Sequence, residues 1–150
     1  MQSFSNYLRN KIVDHTLRGL PYAPPAQLWV RLYTTATSDN GGGTEVTGGG
    51  YAPVSIPCTT TAWAGTQGAG STAASAGTTG LTSNNVVVNL PLPSADWGPE
   101  VTHWALWDAQ AGGNMHFHGA LAESKTIIAG APLSFQAGAI QIIIGANVGG

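Results

Sequence analysis

Residues Val101 to Leu121 read Val-Thr-His-Trp-Ala-Leu-Trp-Asp, then Ala-Gln-Ala-Gly-Gly, then Asn-Met-His-Phe-His-Gly-Ala-Leu, and this stretch decides the fold class. Val101–Asp108 and Asn114–Leu121 are rich in β-branched and aromatic residues. The loop between them ends in two glycines able to take the positive φ that a hairpin needs. Pairing Asp108 with Asn114 sets Trp107 against Met115, Ala105 against Phe117 and Val101 against Leu121, which makes one face apolar. The other face carries Thr102, Trp104, Leu106, His116 and His118 and is half apolar, with His103 on the side away from the two later histidines. A sheet that shows Trp104 and Leu106 on its second face has something to bind.

Upstream of the hairpin, Gln27–Thr34 alternates cleanly. Leu28, Val30 and Leu32 point to a core, while Trp29, Arg31 and Tyr33 point outward, where a guanidinium between two rings can stack or reach a carboxylate. Tyr51–Thr61, interrupted by Pro53 and Pro57, is an extended edge segment, and Asn85–Leu90 is a short apolar strand. Downstream, Lys125–Ile128 and Leu133–Phe135 read as short strands. Ala139–Ile144, almost wholly apolar, is expected to be central or covered on both faces. Roughly seven to nine short strands with frequent turns predict an all-β antiparallel sandwich or jelly-roll-like domain.

One N-terminal helix is predicted over about residues 5–18. Ser5, or Ser3, caps it, Leu8, Ile12 and Val13 form its apolar stripe with Phe4 and Tyr7 at its start, and Gly19 terminates it. At this length the stripe must dock, either over the end of the sandwich or as an arm on a partner. Ser38–Gly50, with two triple-glycine runs, is a loop, and a longer Gly/Ala/Ser/Thr-rich loop spans about residues 64–84.

The whole chain, 1–150, is expected to form a single domain. Only 8% of its residues are charged, against ~25% in a typical soluble domain. A 43% apolar content, five Trp and a net charge of −2 argue against disorder. A nearly uncharged exterior is poor at keeping copies apart and suits a protein that lives in an assembly. The five Lys and Arg leave little electrostatic footprint for nucleic acid. Cys58, the lone cysteine, reads as a buried thiol. Neither a signal peptide nor a membrane-spanning run is evident, so synthesis in the cytosol is expected.

Motifs for chemistry are missing. His116 and His118 share a strand face but lack a third ligand, so no metal is expected. There is no Gly-x-Ser-x-Gly elbow, the glycine runs lack a Gly-Lys-Ser/Thr ending, and Asp96, Glu100 and Asp108 are more simply turn or strand-end residues. No catalytic residue, no cofactor and no enzymatic activity are predicted. The outward aromatics Trp29, Tyr33, Trp104 and Trp63 serve as anchors of a protein interface or, alternatively, as stacking platforms for sugar rings.

Ser3-Phe4-Ser5-Asn6-Tyr7-Leu8 with Lys11 and Asp14-His15, Pro24-Pro25-Ala26-Gln27-Leu28-Trp29-Val30, Gly48-Gly49-Gly50-Tyr51, and Trp97-Gly98 before Val101-Thr102-His103-Trp104 form a recognisable series. It continues through Asp108-Ala109, Gly112-Gly113-Asn114, Gly119-Ala120-Leu121, Ser124-Lys125-Thr126 and Phe135-Gln136-Ala137-Gly138. In this the chain resembles a family of small tailed-bacteriophage virion proteins, commonly labelled virion structural or tail fibre proteins. The resemblance implies a virion location after synthesis in the host bacterial cytoplasm, and partners among other virion proteins. Because heptads and repeats of a fibre shaft are absent, a capsid cement or decoration protein on the major capsid protein is expected. The alternatives are a tail-fibre or tail-tip subunit among tail proteins, and a carbohydrate-binding module. Self-association is expected, with neither nucleic acid nor membrane as partner. The expected contact surface comprises Phe4, Tyr7, Leu8, Arg9, Trp29, Arg31, Tyr33, Trp63, Trp104, His116 and His118.

Overall fold

A computed structural model describes residues 2–145. The hairpin forms at its centre: β6 (Val101–Trp107) runs antiparallel to β7 (Met115–Lys125). Asp108 closes the loop, its backbone amide donating to Asn114 O at 3.0 Å and its Oδ1 accepting from Asn114 N at 2.7 Å. Gly113 holds φ +77, and a Cβ there would lie 2.5 Å from Asp108 Oδ1.

Trp107 faces Met115 as expected, but the rest of the register differs. One extra residue on β7, at His116, shifts the pairing so that Leu106 opposes Phe117 and Ala105 opposes His118. Because side chains alternate with a period of two, that bulge moves Phe117 to the side of Leu106 and Trp104 and puts His118 on the side of Ala105 and His103. A second irregularity pairs Val101 with Lys125, where Leu121 was expected. Sequence alternation cannot reveal either insertion.

Around the hairpin, β1 (Gln2–Phe4), β2 (Gln27–Tyr33) and β3 (Val54–Pro57) complete a five-stranded sheet in the order β1-β7-β6-β2-β3. β3 is an edge, as its prolines require. β1 went unpredicted because three residues carry no periodicity. Two ribbons, β4 (Leu81–Ser83) with β9 (Gln141–Ile143) and β5 (Val88–Asn89) with β8 (Ser134–Phe135), form the opposing layer of the sandwich. β4 lies inside the stretch read as loop. Thr126–Ile128 form no strand, since β7 itself runs on to Lys125. β9 is not covered on both faces: Ile142 is buried while Ile143 is half exposed, because a two-stranded ribbon has only one core side.

The core fills the gap between the layers. Leu32, Ile56, Leu106, Val30 and Val101 are fully buried from the sheet side and meet Val88, Leu90, Ile127, Ile140 and Ile142. Each such side chain contributes ~1.5–3 kcal/mol on burial.

The second face of the sheet carries the helix α1 (Asn6–Leu17). Ser5 caps it, accepting from Leu8 N at 3.1 Å, while its own hydroxyl donates to Met115 O and its amide to His116 O. This staple anchors the helix start to the bulge. Leu8 is the buried residue of the helix, whereas Ile12, Val13 and Leu17 are exposed, so the expected stripe docks only at its N-terminal end.

Candidate functional site

The second face of the sheet gathers most of the residues singled out from sequence, but it is covered rather than open. Trp29, Arg31 and Tyr33 project from β2 on the side of Trp107, Ala105 and His103 of β6, as their cross-strand pairing requires. Arg31 is 4% and Tyr33 3% exposed. The expectation of an outward contact face there is therefore corrected. The loop after Asp108 folds back over the strand, and Arg31 Nη2 donates to both Ala109 O and Gly112 O, the latter at 2.7 Å. Its guanidinium sits 4.4 Å from the centre of the Trp107 ring, with Glu45 Oε2 at 4.0 Å. Charge in so dry a place must be met by fixed dipoles, and these carbonyls and the carboxylate supply them. Burial, with the Glu45 charge adding to it, raises the Tyr33 hydroxyl above its usual pKa.

The two histidines expected at the surface are also buried. His118 is held by Asp39 Oδ1 at 2.9 Å on Nε2 and by the Thr37 hydroxyl at 2.8 Å on Nδ1. Asp39 also receives Arg9 at 2.5 Å, and its bonds to His118 and Arg9 hold its carboxyl below the usual pKa. His116 packs against the Tyr7 ring at 5.4 Å and lies 3.4 Å from the Tyr22 hydroxyl, with Nε2 left without a hydrogen-bond partner. Burial pushes its pKa down more strongly than Asp108, 3.5 Å away, pulls it up. For Asp108 the balance is opposite: burial raises its pKa, but the Asn114 bonds and His116 together bring it below the usual value. The bulge puts His103 on the same face as His118, contrary to the expected register. Among the described residues no three His, Cys, Asp or Glu side chains group as metal ligands.

Tyr7 and Arg9 stay near the surface at the helix start, Leu8 is buried beneath it, and Phe4 meets Phe117 edge-on at 5.2 Å. Trp29 is half-buried. The remaining two belong elsewhere: Trp104, 8% exposed, lies in the core between the layers, and Trp63 packs half-buried against that core. Neither is the open platform expected.

Two concavities flank this architecture. A pocket of about 260 Å³ opens between the helix start, the Ser38–Gly41 turn and the hairpin loop, walled by Asn6, Tyr7, Asp39, Asn40, Trp107 and Asn114. A larger groove of about 520 Å³ lies over Trp104, Leu121, Leu133, Phe135 and Ile140. Sequence reading missed Asp39, Asn40 and Trp107 as wall residues. The first two lie in a glycine-rich loop, and alternation along the hairpin puts Trp107 on the apolar face, so only their convergence in space marks them.

Against known protein families, the model described as podophage GP4 fiber I protein gp80 matches residues 3–143. The chain belongs to this family. No curated protein matches it. The resemblance seen in the sequence is thus borne out: this is a structural component of the phage virion, associated with other virion proteins. No helix among the described residues is long and apolar enough to cross a membrane.

Proposed function

We propose that the chain is a non-enzymatic fibre subunit of the virion, held in place by protein contacts made by its outer loops and the free side of its helix. The observation that carries this is the match to a fibre family over residues 3–143. The surface supports it physically. Ile12, Val13, Leu17 and Leu20 lie exposed at and just beyond the helix, Leu17 at 78%. Contiguous exposed apolar residues on a chain with 8% charge favour permanent contacts with a neighbour, including a second copy of the chain. Among the described residues, a sandwich with one helix and no shaft is also what keeps a capsid cement seat on the major capsid protein as the second reading.

Cryo-electron microscopy of the particle separates the two. Density for this chain at the tail or collar, in a small multiple of the tail symmetry, is expected for the fibre subunit. Density spread over icosahedral positions would overturn that reading and establish cement. The helix contact is checked by Leu17→Asp, which should leave the isolated protein folded and abolish its incorporation into particles.

A further inference from the structure

We propose that a proton controls the docking of α1: protonation of His116 releases the start of the helix and leaves the sandwich folded beneath it. This inference does not depend on where in the particle the subunit sits. The chain has four histidines, His15, His103, His116 and His118, and all lie either in α1 or on the sheet face that carries it.

Three of them have room for a proton. His15 is exposed, and its Nδ1 lies 3.2 Å from Leu20 O, which accepts from a charged ring as well as from a neutral one. His118 has an oxygen at each nitrogen, Asp39 Oδ1 and the Thr37 hydroxyl. His103, with Nδ1 2.8 Å from the Thr102 hydroxyl, keeps part of its ring in solvent, although burial and then the neighbouring His118 lower its pKa. His116 has no such provision. Its side chain is 4% exposed, and Nε2 is buried without a hydrogen-bond partner, 3.5 Å from Asp108 Oδ2. Both Asp108 oxygens are already engaged by Asn114, Oδ1 by its backbone amide and Oδ2 by its side-chain nitrogen. An imidazolium here would be a buried cation with one N–H unpaired and the other held only by the long 3.4 Å contact to the Tyr22 hydroxyl.

The groups that face the ring are Tyr7 from the helix, Tyr22 from the connector and Asp108 from the end of β6. Lys11, 5.6 Å from the centre of the Tyr7 ring, adds no counter-charge. What yields to the charge is the weakest cover. β7 is bonded to β6 on one side and β1 on the other, whereas α1 buries one residue, Leu8. Its start is otherwise held by Ser5 on the Met115 and His116 carbonyls, by Tyr7 on the ring, and by Asn6 N and Arg9 on Asp39. Lifting that first turn hydrates His116 and leaves the core between the layers intact, the pattern of a local opening. The docked form favours the neutral ring, so docking is complete above the usual 6.5 and weakens as pH falls from there through the lower folded value. One proton taken up on opening raises the opening constant by at most about tenfold per pH unit.

The test is hydrogen exchange of the full chain, followed amide by amide by nuclear magnetic resonance from about pH 7 to about pH 4.5 and corrected for the intrinsic effect of pH on exchange. The Ser5, Asn6, Leu8 and Arg9 amides are expected to be less protected than those of Val30 and Leu106 in the central strands. Below pH 6.5 their protection should drop by up to about tenfold per unit. In His116→Gln, which is polar but cannot take the proton, it should stay level over the same range. Asp108→Asn removes the carboxylate that attracts the proton and should extend the drop to lower pH, a result that can be read even if the glutamine variant does not fold. The proposal is overturned by level protection of the helix start in the natural chain, or by a drop that persists in His116→Gln. Equal free energies of exchange at the helix start and in the central strands at every pH would mean global opening and overturn it too, as would an unchanged pH range in Asp108→Asn.

Discussion

Replacing Arg31 with methionine keeps an unbranched apolar stem and removes the guanidinium with its charge, and so measures what the buried guanidinium does. Two hydrogen bonds from Nη2 to the Ala109 and Gly112 carbonyls are lost, each worth ~1.5–3 kcal/mol when charged. The stacking on Trp107 at 4.4 Å goes too, a further ~0.5–2 kcal/mol. Opposing this, the folded protein no longer has to desolvate a cation, which costs several kcal/mol. Glu45 and the exposed hairpin loop can recover hydration once the guanidinium is gone. The balance is a loss of ~3 kcal/mol, or ~6–12 °C in Tm for a chain of this size. Urea unfolding followed by tryptophan fluorescence gives the free energy, and hydrogen exchange at residues 109–113 reports whether the loop has come loose. Arg31→Lys should fall between, ~2 kcal/mol, because an ammonium on a shorter stem cannot bridge both carbonyls while lying on the ring. A change below ~1 kcal/mol in Arg31→Met, or a stabilisation, would refute the reasoning. It would mean that the buried charge is a burden the fold tolerates and not the staple of its second face.

Ser5→Ala removes both the helix cap and a buried hydroxyl bond to Met115 O, and should cost ~1–3 kcal/mol with a drop in helical circular dichroism. Gly49→Ala should cost more than Gly48→Ala in a thermal melt, although both residues have positive φ. A Cβ at Gly49 would lie 2.7 Å from Ala95 O and Trp97 Cδ1, while one at Gly48 meets nothing within 4 Å. Trp104→Ala should destabilise the isolated protein by ~3–5 kcal/mol, as expected for a core residue and not for a contact on the particle surface. His116 has a folded pKa below the usual 6.5, so its neutral form is favoured by folding. The stability it contributes is complete above pH 6.5 and falls as pH drops from there through the folded value, after which the depressed Asp39 and Asp108 carboxyls lose theirs below 3.8. Histidine-resolved titration should place His116 below 6.5, and His116→Gln should flatten the first limb of the acid denaturation profile.

Alternating residues, prolines and paired glycines determined much of this protein without help from its tertiary structure. The hairpin, the inward set Leu28, Val30 and Leu32, the edge at Pro57, the Ser5 cap and the all-β class are local consequences of which side chains recur at which spacing. The order of motifs also pointed to a phage virion family. Tertiary structure alone decided which faces stay open. One extra residue at His116 reversed the side on which Phe117 and His118 lie, and no periodicity signals an insertion of one residue. Trp29, Arg31 and Tyr33 alternate as an outward set should, yet the hairpin loop closes over Arg31 and the 43–45 segment lies against Tyr33, because burial depends on what folds back over a strand and not on the strand itself. The run Ala139–Ile144 looked doubly buried for the complementary reason: hydrophobicity reports a tendency to leave water, whereas the number of layers available to receive it is a property of the whole sandwich. The pocket walled by Asn6, Asn40, Trp107 and Asn114 belongs wholly to the second kind of information, since its residues come from three separate segments that only the folded chain brings together.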